Sequence, residues 1–245
     1  MRALEGIADL IDIFIEVRDA RIPAATDVAA SRAKLRSKPV FIVLNRADLA
    51  DAKATAAWLA HLRAVGKSAF AGVGKEPSSL NRLRSALLSQ GRRGKRLRLA
   101  VVGAPNAGKS SVINALARQK RAVVRDQPGV TRKLEWRQLG LDADILDTPG
   151  VLSPRIDSAD AAWQLALCGI LPEKAFDPEE VAERFCRWSG CLASALDVDA
   201  FAARRGRLRR GGELDRAAAA RSLIAAFRTG ALGRMTFERP QSAPA

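Results

Sequence analysis

The chain has 245 residues, 48% of them hydrophobic, and its 41 Lys and Arg against 26 Asp and Glu give a formal net charge of +15. That length allows one or two domains and that apolar content is ample for a packed core, which excludes a polar, unstructured chain. No run approaches the ~18 uncharged apolar residues of a membrane span. The excess positive charge points to a polyanionic partner, because each Lys or Arg set against a phosphate releases condensed counterion.

Cys168, Cys186 and Cys191 form an odd set without a CxxC pair, and the single histidine, His61, lies far from them. They read as reduced thiols of a cytosol-like compartment and not as a zinc site. Met1 to Leu10 shows no cleavable signal, since Arg2 and Glu5 lead directly into a strand-like segment.

In chain order, Ile11 to Val17 is rich in β-branched and aromatic residues and predicts a first strand, stopped by Arg18-Asp-Ala-Arg-Ile-Pro23. Pro39 to Leu44 is a continuous apolar run, the pattern of a strand buried on both faces of a parallel sheet, and it ends in Asn45-Arg-Ala-Asp48. A helix from about Ala52 to Val65 follows, then a short strand from Lys67 to Ala71 entering the loop Gly72-Val-Gly-Lys-Glu-Pro77. Ser78 or Ser79 is expected to cap the next helix, whose Leu80, Leu83, Leu87 and Leu88 fall at helical spacing. Gly91 to Arg98 is a basic connector. Leu97 to Val102 is the next strand, and a helix runs from Lys109 to about Arg118.

Arg121 to Thr131 reads as an irregular loop broken by Pro128-Gly129. Leu134 to Leu139 alternates like a half-exposed strand, and Ala143 to Leu146 is another, ending in Asp147-Thr-Pro-Gly150. Six strands with their crossovers thus account for the chain up to about Gly150. Alternation of this kind implies a parallel sheet covered by helices. Beyond it the pattern is helical. Asp160 to Leu171 places Trp163, Ala166, Leu167 and Ile170 on one face. Pro172 and Pro178 mark a linker, and Glu179 to Trp188 resumes a helix. Arg204 to Gly212 is a loop dense in positive charge; Asp215 caps a last helix with Leu223, Ile224 and Phe227 inward, ended by Gly230. Arg239 to Ala245 is expected to fray. There is no internal repeat.

The chemistry is concentrated in Gly103-Ala-Pro-Asn-Ala-Gly-Lys-Ser110, which fits the phosphate-binding loop G-x-x-x-x-G-K-[ST] in its required setting of strand, loop and helix. The glycines let successive N–H groups turn inward on a polyphosphate, and the following helix aims its positive end at the same charge. Lys109 would reach the β and γ phosphates, and Ser110 would offer its hydroxyl to Mg²⁺. Asp147, at a strand end, can hold Mg²⁺ through water, and Gly150 can bring its N–H to the γ phosphate. Thr131 is placed to add a hydroxyl to the metal. Lys109, Thr131 and Gly150 are the catalytic candidates. Asp48 can accept both the N1–H and the exocyclic amine of guanine, donors that adenine does not offer on that edge. Asn45 would tie this base loop to the phosphate loop.

These motifs resemble those of translation-factor-related GTPases in permuted order: base motif, phosphate loop, then DxxG. Asp19-Ala-Arg-Ile-Pro23, Gly211-Gly-Glu-Leu-Asp215 and Phe227-Arg-Thr-Gly-Ala-Leu-Gly233 are similar to stretches of the ribosome biogenesis GTPase A family, and the resemblance covers nearly the whole chain. It implies an α/β fold: a circularly permuted P-loop GTPase domain with a mainly parallel sheet over residues 1–171, followed by a small all-helical, basic, RNA-binding domain over 172–245. It implies a GTPase that assists late assembly of the large ribosomal subunit, is slow unless stimulated, and works as a cytoplasmic monomer on pre-ribosomal RNA, away from membranes.

Carried over by residue, guanine binding falls on Asn45, Arg46 and Asp48, with Ala71 and Gly72 in the last guanine-contacting loop. Phosphate binding falls on Pro105, Asn106, Ala107, Gly108, Lys109, Ser110 and Ser111, with Thr131 and Gly150. Mg²⁺ falls to Ser110 and Thr131, with Asp147 behind a water. Asn106 is also the position that helps hold K⁺ in potassium-stimulated relatives, where a monovalent cation neutralises charge developing between the β and γ phosphates.

The chain departs from the family at three points. Arg46 stands where lysine is usual, though its aliphatic stem can still lie on the purine. The family's aromatic-Pro-Gly-His-Met start lies outside this sequence, and Val151 follows Gly150 where many GTPases have a water-orienting glutamine. Two rival readings remain. One is an RNA-binding assembly scaffold that keeps GTP as a structural ligand with negligible turnover. The other is an ATPase, which requires Asn45-Arg-Ala-Asp48 to be accidental.

Overall fold

The structure is a computed structural model describing residues 8–28, 38–91, 94–117, 122–125, 134–140, 142–147, 156–190, 198, 201 and 215–240. Arg204 to Gly212, Cys191, Thr131 and Thr148 to Arg155, Gly150 among them, lie outside these. The chain divides into two compact units, one formed by Met1–Arg155 with Thr236–Ala245 and the other by Ile156–Met235. The division therefore falls ahead of the expected 171/172 boundary, and the end of the chain returns to the first unit.

The first unit is built on strands β1 (Ile13–Asp19), β2 (Val40–Asn45), β3 (Ser68–Ala71), β4 (Leu97–Gly103), β5 (Ala122–Arg125), β6 (Leu134–Gln138) and β7 (Ala143–Asp147). They form one seven-stranded sheet in the order β3-β2-β1-β4-β7-β6-β5. The five from β3 to β7 in that order run parallel; β6 pairs antiparallel with both β7 and β5. Among the described residues seven strands stand where six were expected. The extra one, β5, falls inside the segment Arg121 to Thr131 that was expected to be irregular: Val123 and Val124 are β-branched, and the backbone pairs Val123 with Trp136.

Because side chains alternate along a strand, the two faces of the sheet can be followed separately. Phe14, Ala100, Val102, Trp136 and Leu146 form one buried cluster with Ile11 and Val28. Ile42, Leu44 and Ala69 form another with Trp58 and Leu62 of helix α1 (Ala52–Ala64). Residues of the opposite parity, Ile13, Ile15, Val17, Leu99 and Val101, are buried as well. The sheet is thus covered on both sides, as the unbroken apolar runs require.

Helix starts follow local chemistry. Asp51 caps α1 by accepting from Ala54 N. Ser78 and Ser79 do not cap the next helix, contrary to expectation. Pro77–Leu80 is a 3₁₀ turn, and α2 (Asn81–Leu88) begins at Leu80 without a side-chain cap. The Ser79 hydroxyl instead accepts from Val73 N at 2.9 Å and so fastens the loop after β3. Helix α3 (Lys109–Ala117) follows β4 directly across the phosphate-loop sequence.

In the second unit the regular elements among the described residues are helical: α4 (Ala159–Leu167), α5 (Pro178–Gly190) and α6 (Arg216–Arg228), besides a short 3₁₀ turn at Glu173–Ala175. Pro178, expected in the linker, is the first residue of α5, where its missing N–H costs nothing. Ser158 caps α4 and Asp215 caps α6. Phe185 of α5 meets Phe227 of α6 edge to face at 5.2 Å. The Arg228 guanidinium donates to the carbonyls of Ala166 and Leu167 at 2.7 and 3.0 Å, satisfying the end of α4. Among the described residues no helix is long and apolar enough to cross a membrane.

The segment after this unit is held firmly. Phe237 N donates to Arg21 O, Trp58 Nε1 donates to Glu238 O, and the Thr236 hydroxyl accepts from Asp51 N. The Glu238 carboxylate accepts from Ala24 N and Ala25 N. Arg239, expected to begin a frayed tail, lies among the described residues directly after this anchor.

Candidate functional site

Parallel strands deliver their last residues to one edge of a sheet, and ligands of such folds bind at that edge. Here it carries Asp19 of β1, Asn45 of β2, Ala71 of β3, Gly103 of β4 and Asp147 of β7. The loop from Gly103 to Lys109 turns on residues with left-handed backbones: Asn106 has φ 55° and Gly108 φ 94°. At Gly108 a Cβ would lie 2.2 Å from Asn45 Nδ2, so only glycine lets the two loops approach so closely.

Asn45 is the joint. Its Nδ2 donates to Ala107 O at 2.8 Å, and its Oδ1 accepts from Gly74 N at 2.9 Å. One buried amide thereby ties the base motif to the phosphate loop, as expected, and also to the loop after β3. That loop is further tied to the base motif through Gly72, whose N–H donates to Leu44 O and whose carbonyl accepts from Ala47 N. Ala71 and Gly72 thus stand beside Arg46 and Asp48. Asp48 sits in the turn that follows, with its residue exposed.

Lys109 is 8% exposed, with Nζ donating to Gly103 O at 3.2 Å and to Ala104 O at 2.8 Å. Burial lowers the ammonium's pKa below its ordinary value, and the Asp147 carboxylate opposes that shift. A cation folded back onto two carbonyls of its own loop is the charge that a polyphosphate would draw out. Ser110 is exposed at the first turn of α3, and its hydroxyl donates to Asp147 Oδ2 at 3.2 Å. A hydroxyl and a carboxylate at the positive end of a helix are hard oxygen donors of the kind Mg²⁺ selects, so the residues present fit that ion. Pro105 and Ser111 flank the loop half-buried, and Ala107 is buried within it.

Arg46 uses its guanidinium to join two loops, whatever its aliphatic stem covers. Its NH1 donates to Asp19 Oδ2 at 2.8 Å and its NH2 to Asn106 O at 2.7 Å. Asp19 is the residue that sequence reasoning left out of the site. The signal available was an acidic residue at the end of an apolar strand that shares its sheet edge with Asn45 and Gly103. Thr131 and Gly150 fall outside the described residues.

Comparison with known proteins agrees with this geometry. Residues 98–184, from β4 into α5, match the family described as 50S ribosome-binding GTPase. The chain is 35% identical to ribosome biogenesis GTPase A of Thermotoga maritima, over 98% of this chain and 90% of that protein. It is 30% identical to the Bacillus cereus protein of the same name, over 95% and 88%. Two solved structures are similar at TM-scores of 0.77 and 0.76: GDP-bound YlqF (33% identical, 97% of this chain and 98% of that one) and GNP-bound YlqF from T. maritima (32%, 99% and 100%). The loops that Asn45 joins, and the identity that extends through nearly the whole chain, place it: the chain belongs to the ribosome biogenesis GTPase A family.

Proposed function

We propose that this GTPase is a switch for late assembly of the large ribosomal subunit, holding pre-ribosomal RNA through a basic helical domain and releasing or reorienting it when GTP is hydrolysed. The observation that carries the nucleotide half of this reading is the Asn45 bridge, which sets a guanine-reading carboxylate motif and a phosphate cradle on one rigid edge. Asp48 is the group that discriminates guanine, and Lys109 the one that balances phosphate charge. The loop N–H groups supply fixed donors where charge builds up in phosphoryl transfer.

Mg²⁺, when bound, neutralises phosphate oxygens; Ser110 would hold it, with Asp147 behind a water and Thr131 as a further hydroxyl. Asn106 is the side chain that would help hold K⁺. Gly150 follows β7 by three residues in sequence, so the segment sensing the γ phosphate leads into Ile156–Met235, and the chain returns to the first unit at Thr236. Two covalent connections therefore carry any nucleotide-dependent change to the RNA-holding part.

The net charge of +15 supports the polyanionic partner, and the names of the relatives support the ribosomal subunit. The test is a GTPase assay with and without large-subunit precursors, paired with binding in GDP and in a non-hydrolysable GTP analogue. Stimulated turnover and tighter binding in one nucleotide state are expected. Equal affinity in both states refutes the switch, and negligible turnover even with precursors leaves a GTP-stabilised scaffold.

A further inference from the structure

We propose that Asp19 is a positioning residue of the nucleotide site, acting through Arg46 to hold the phosphate loop in its binding shape before nucleotide arrives. The proposal rests on reading Gly103 to Ser110 as the GTP-phosphate cradle.

The Asp19 carboxylate is fully buried and saturated with donors. Arg21 grips it with Nε on Oδ1 at 2.9 Å and NH2 on Oδ2 at 2.8 Å, and Arg21 N donates to Oδ1 at 3.0 Å. These cations outweigh the burial that would otherwise raise its pKa, and the group is held below its ordinary value. Arg46 is the fourth donor, at 2.8 Å. Asp19 is therefore a rigid, charged abutment at the end of β1.

Arg46 spans the gap from that abutment to the phosphate loop. A guanidinium is planar, so fixing one nitrogen on Asp19 fixes where the other points. That other nitrogen meets Asn106 O at 2.7 Å. The next carbonyl, Ala107 O, is held by Asn45 Nδ2 at 2.8 Å. Two consecutive peptides of the loop are thus pinned from outside by Asn45, the last residue of β2, and by Arg46, which follows it and is braced on Asp19 of β1. Both Arg46 and Asn106 carry left-handed backbones, φ 61° and 55°, which the pins help to keep. A lysine at position 46 would offer a point charge with freely turning donors and would not transmit the orientation of Asp19 in this way.

The test uses the full chain and three readouts: hydrogen exchange of the 103–110 peptide without nucleotide, affinity for a fluorescent GDP, and thermal unfolding. Arg46→Gln, at a half-buried site, is expected to speed loop exchange and weaken GDP about tenfold, the worth of one charge-assisted hydrogen bond, with little change in unfolding. Asp19→Asn is expected to do the same to exchange and affinity. In the Arg46→Gln background it should add less than about twofold to the affinity loss, because both act on one linkage.

Should Asp19→Asn fail to fold, Asp19→Asn with Arg21→Met removes both charges of the buried pair and takes its place. Loop exchange unchanged by the Asp19 variants overturns the proposal, as does an affinity loss that simply adds to that of Arg46→Gln. A wild type that binds no GDP would refute the GTPase reading instead, and the exchange arm would still decide this one.

Discussion

Asn45 and Ala107, 62 residues apart in sequence, are joined by a 2.8 Å hydrogen bond from side-chain amide to backbone carbonyl. Asn45→Ala would leave Ala107 O and Gly74 N without this partner. Stranding the buried Ala107 carbonyl alone costs about 1–3 kcal/mol, so GDP affinity is expected to fall at least about tenfold, read by fluorescent-nucleotide titration. Gly108→Ala attacks the same contact from the other side, since its Cβ would collide with Asn45 Nδ2. It should abolish nucleotide binding while the rest of the sheet stays folded by circular dichroism.

Lys109→Ala removes the buried cation that now rests on Gly103 O and Ala104 O. Loss of a charge-assisted contact to phosphate is expected to weaken GTP by roughly 10- to 100-fold and to abolish turnover, measured by titration and by phosphate release. Unchanged turnover would remove the phosphate loop from the catalytic account.

How much of this could be read from the sequence depended on how local each cause was. The cap at Asp215, the apolar strands β1, β2 and β4 and the phosphate-loop sequence each declare themselves within a few residues. What escaped was non-local or very short. The β5 strand is four residues long and gains its order by pairing with β6, while the turn signal Pro128-Gly129 dominates its neighbourhood. Arg46 reaches Asp19 across 27 residues and Asn106 across 60, and nothing in the local pattern announces either bond. Ser79 has the composition of a helix cap, but its hydroxyl is used by the loop at Val73.

Glu238 anchors the returning end of the chain, and burial pushes its carboxyl above the ordinary 4.5, against the Ala24 and Ala25 N–H groups and Arg18, which pull it down. The folded state therefore holds this proton more tightly than the unfolded chain. The contribution of Glu238 to stability is greatest below pH 4.5 and declines as pH rises through the higher folded value. Wild type should lose stability relative to Glu238→Gln over that rise, measured as the difference in unfolding midpoint at each pH. A flat difference would contradict the assignment.

Asp19 behaves in the opposite sense. Its folded pKa lies below 3.8, so the stability from its pairs with Arg21 and Arg46 is complete above that value and is lost as pH falls through the folded one. Asp19→Asn is expected to flatten the acid limb of the unfolding profile below pH 3.8, leaving the neutral region offset by an amount set by the lost pairs.

Whether this edge reads guanine is measured most directly by titrating wild type and Asp48→Asn with GDP and XDP. Wild type should prefer GDP. The variant should lose GDP affinity by at least about tenfold, the worth of one charge-assisted hydrogen bond, and prefer XDP, because its amide matches the altered edge of xanthine. An Asp48→Asn protein that keeps the wild-type preference, or a wild type that binds ADP as well as GDP, would contradict the account.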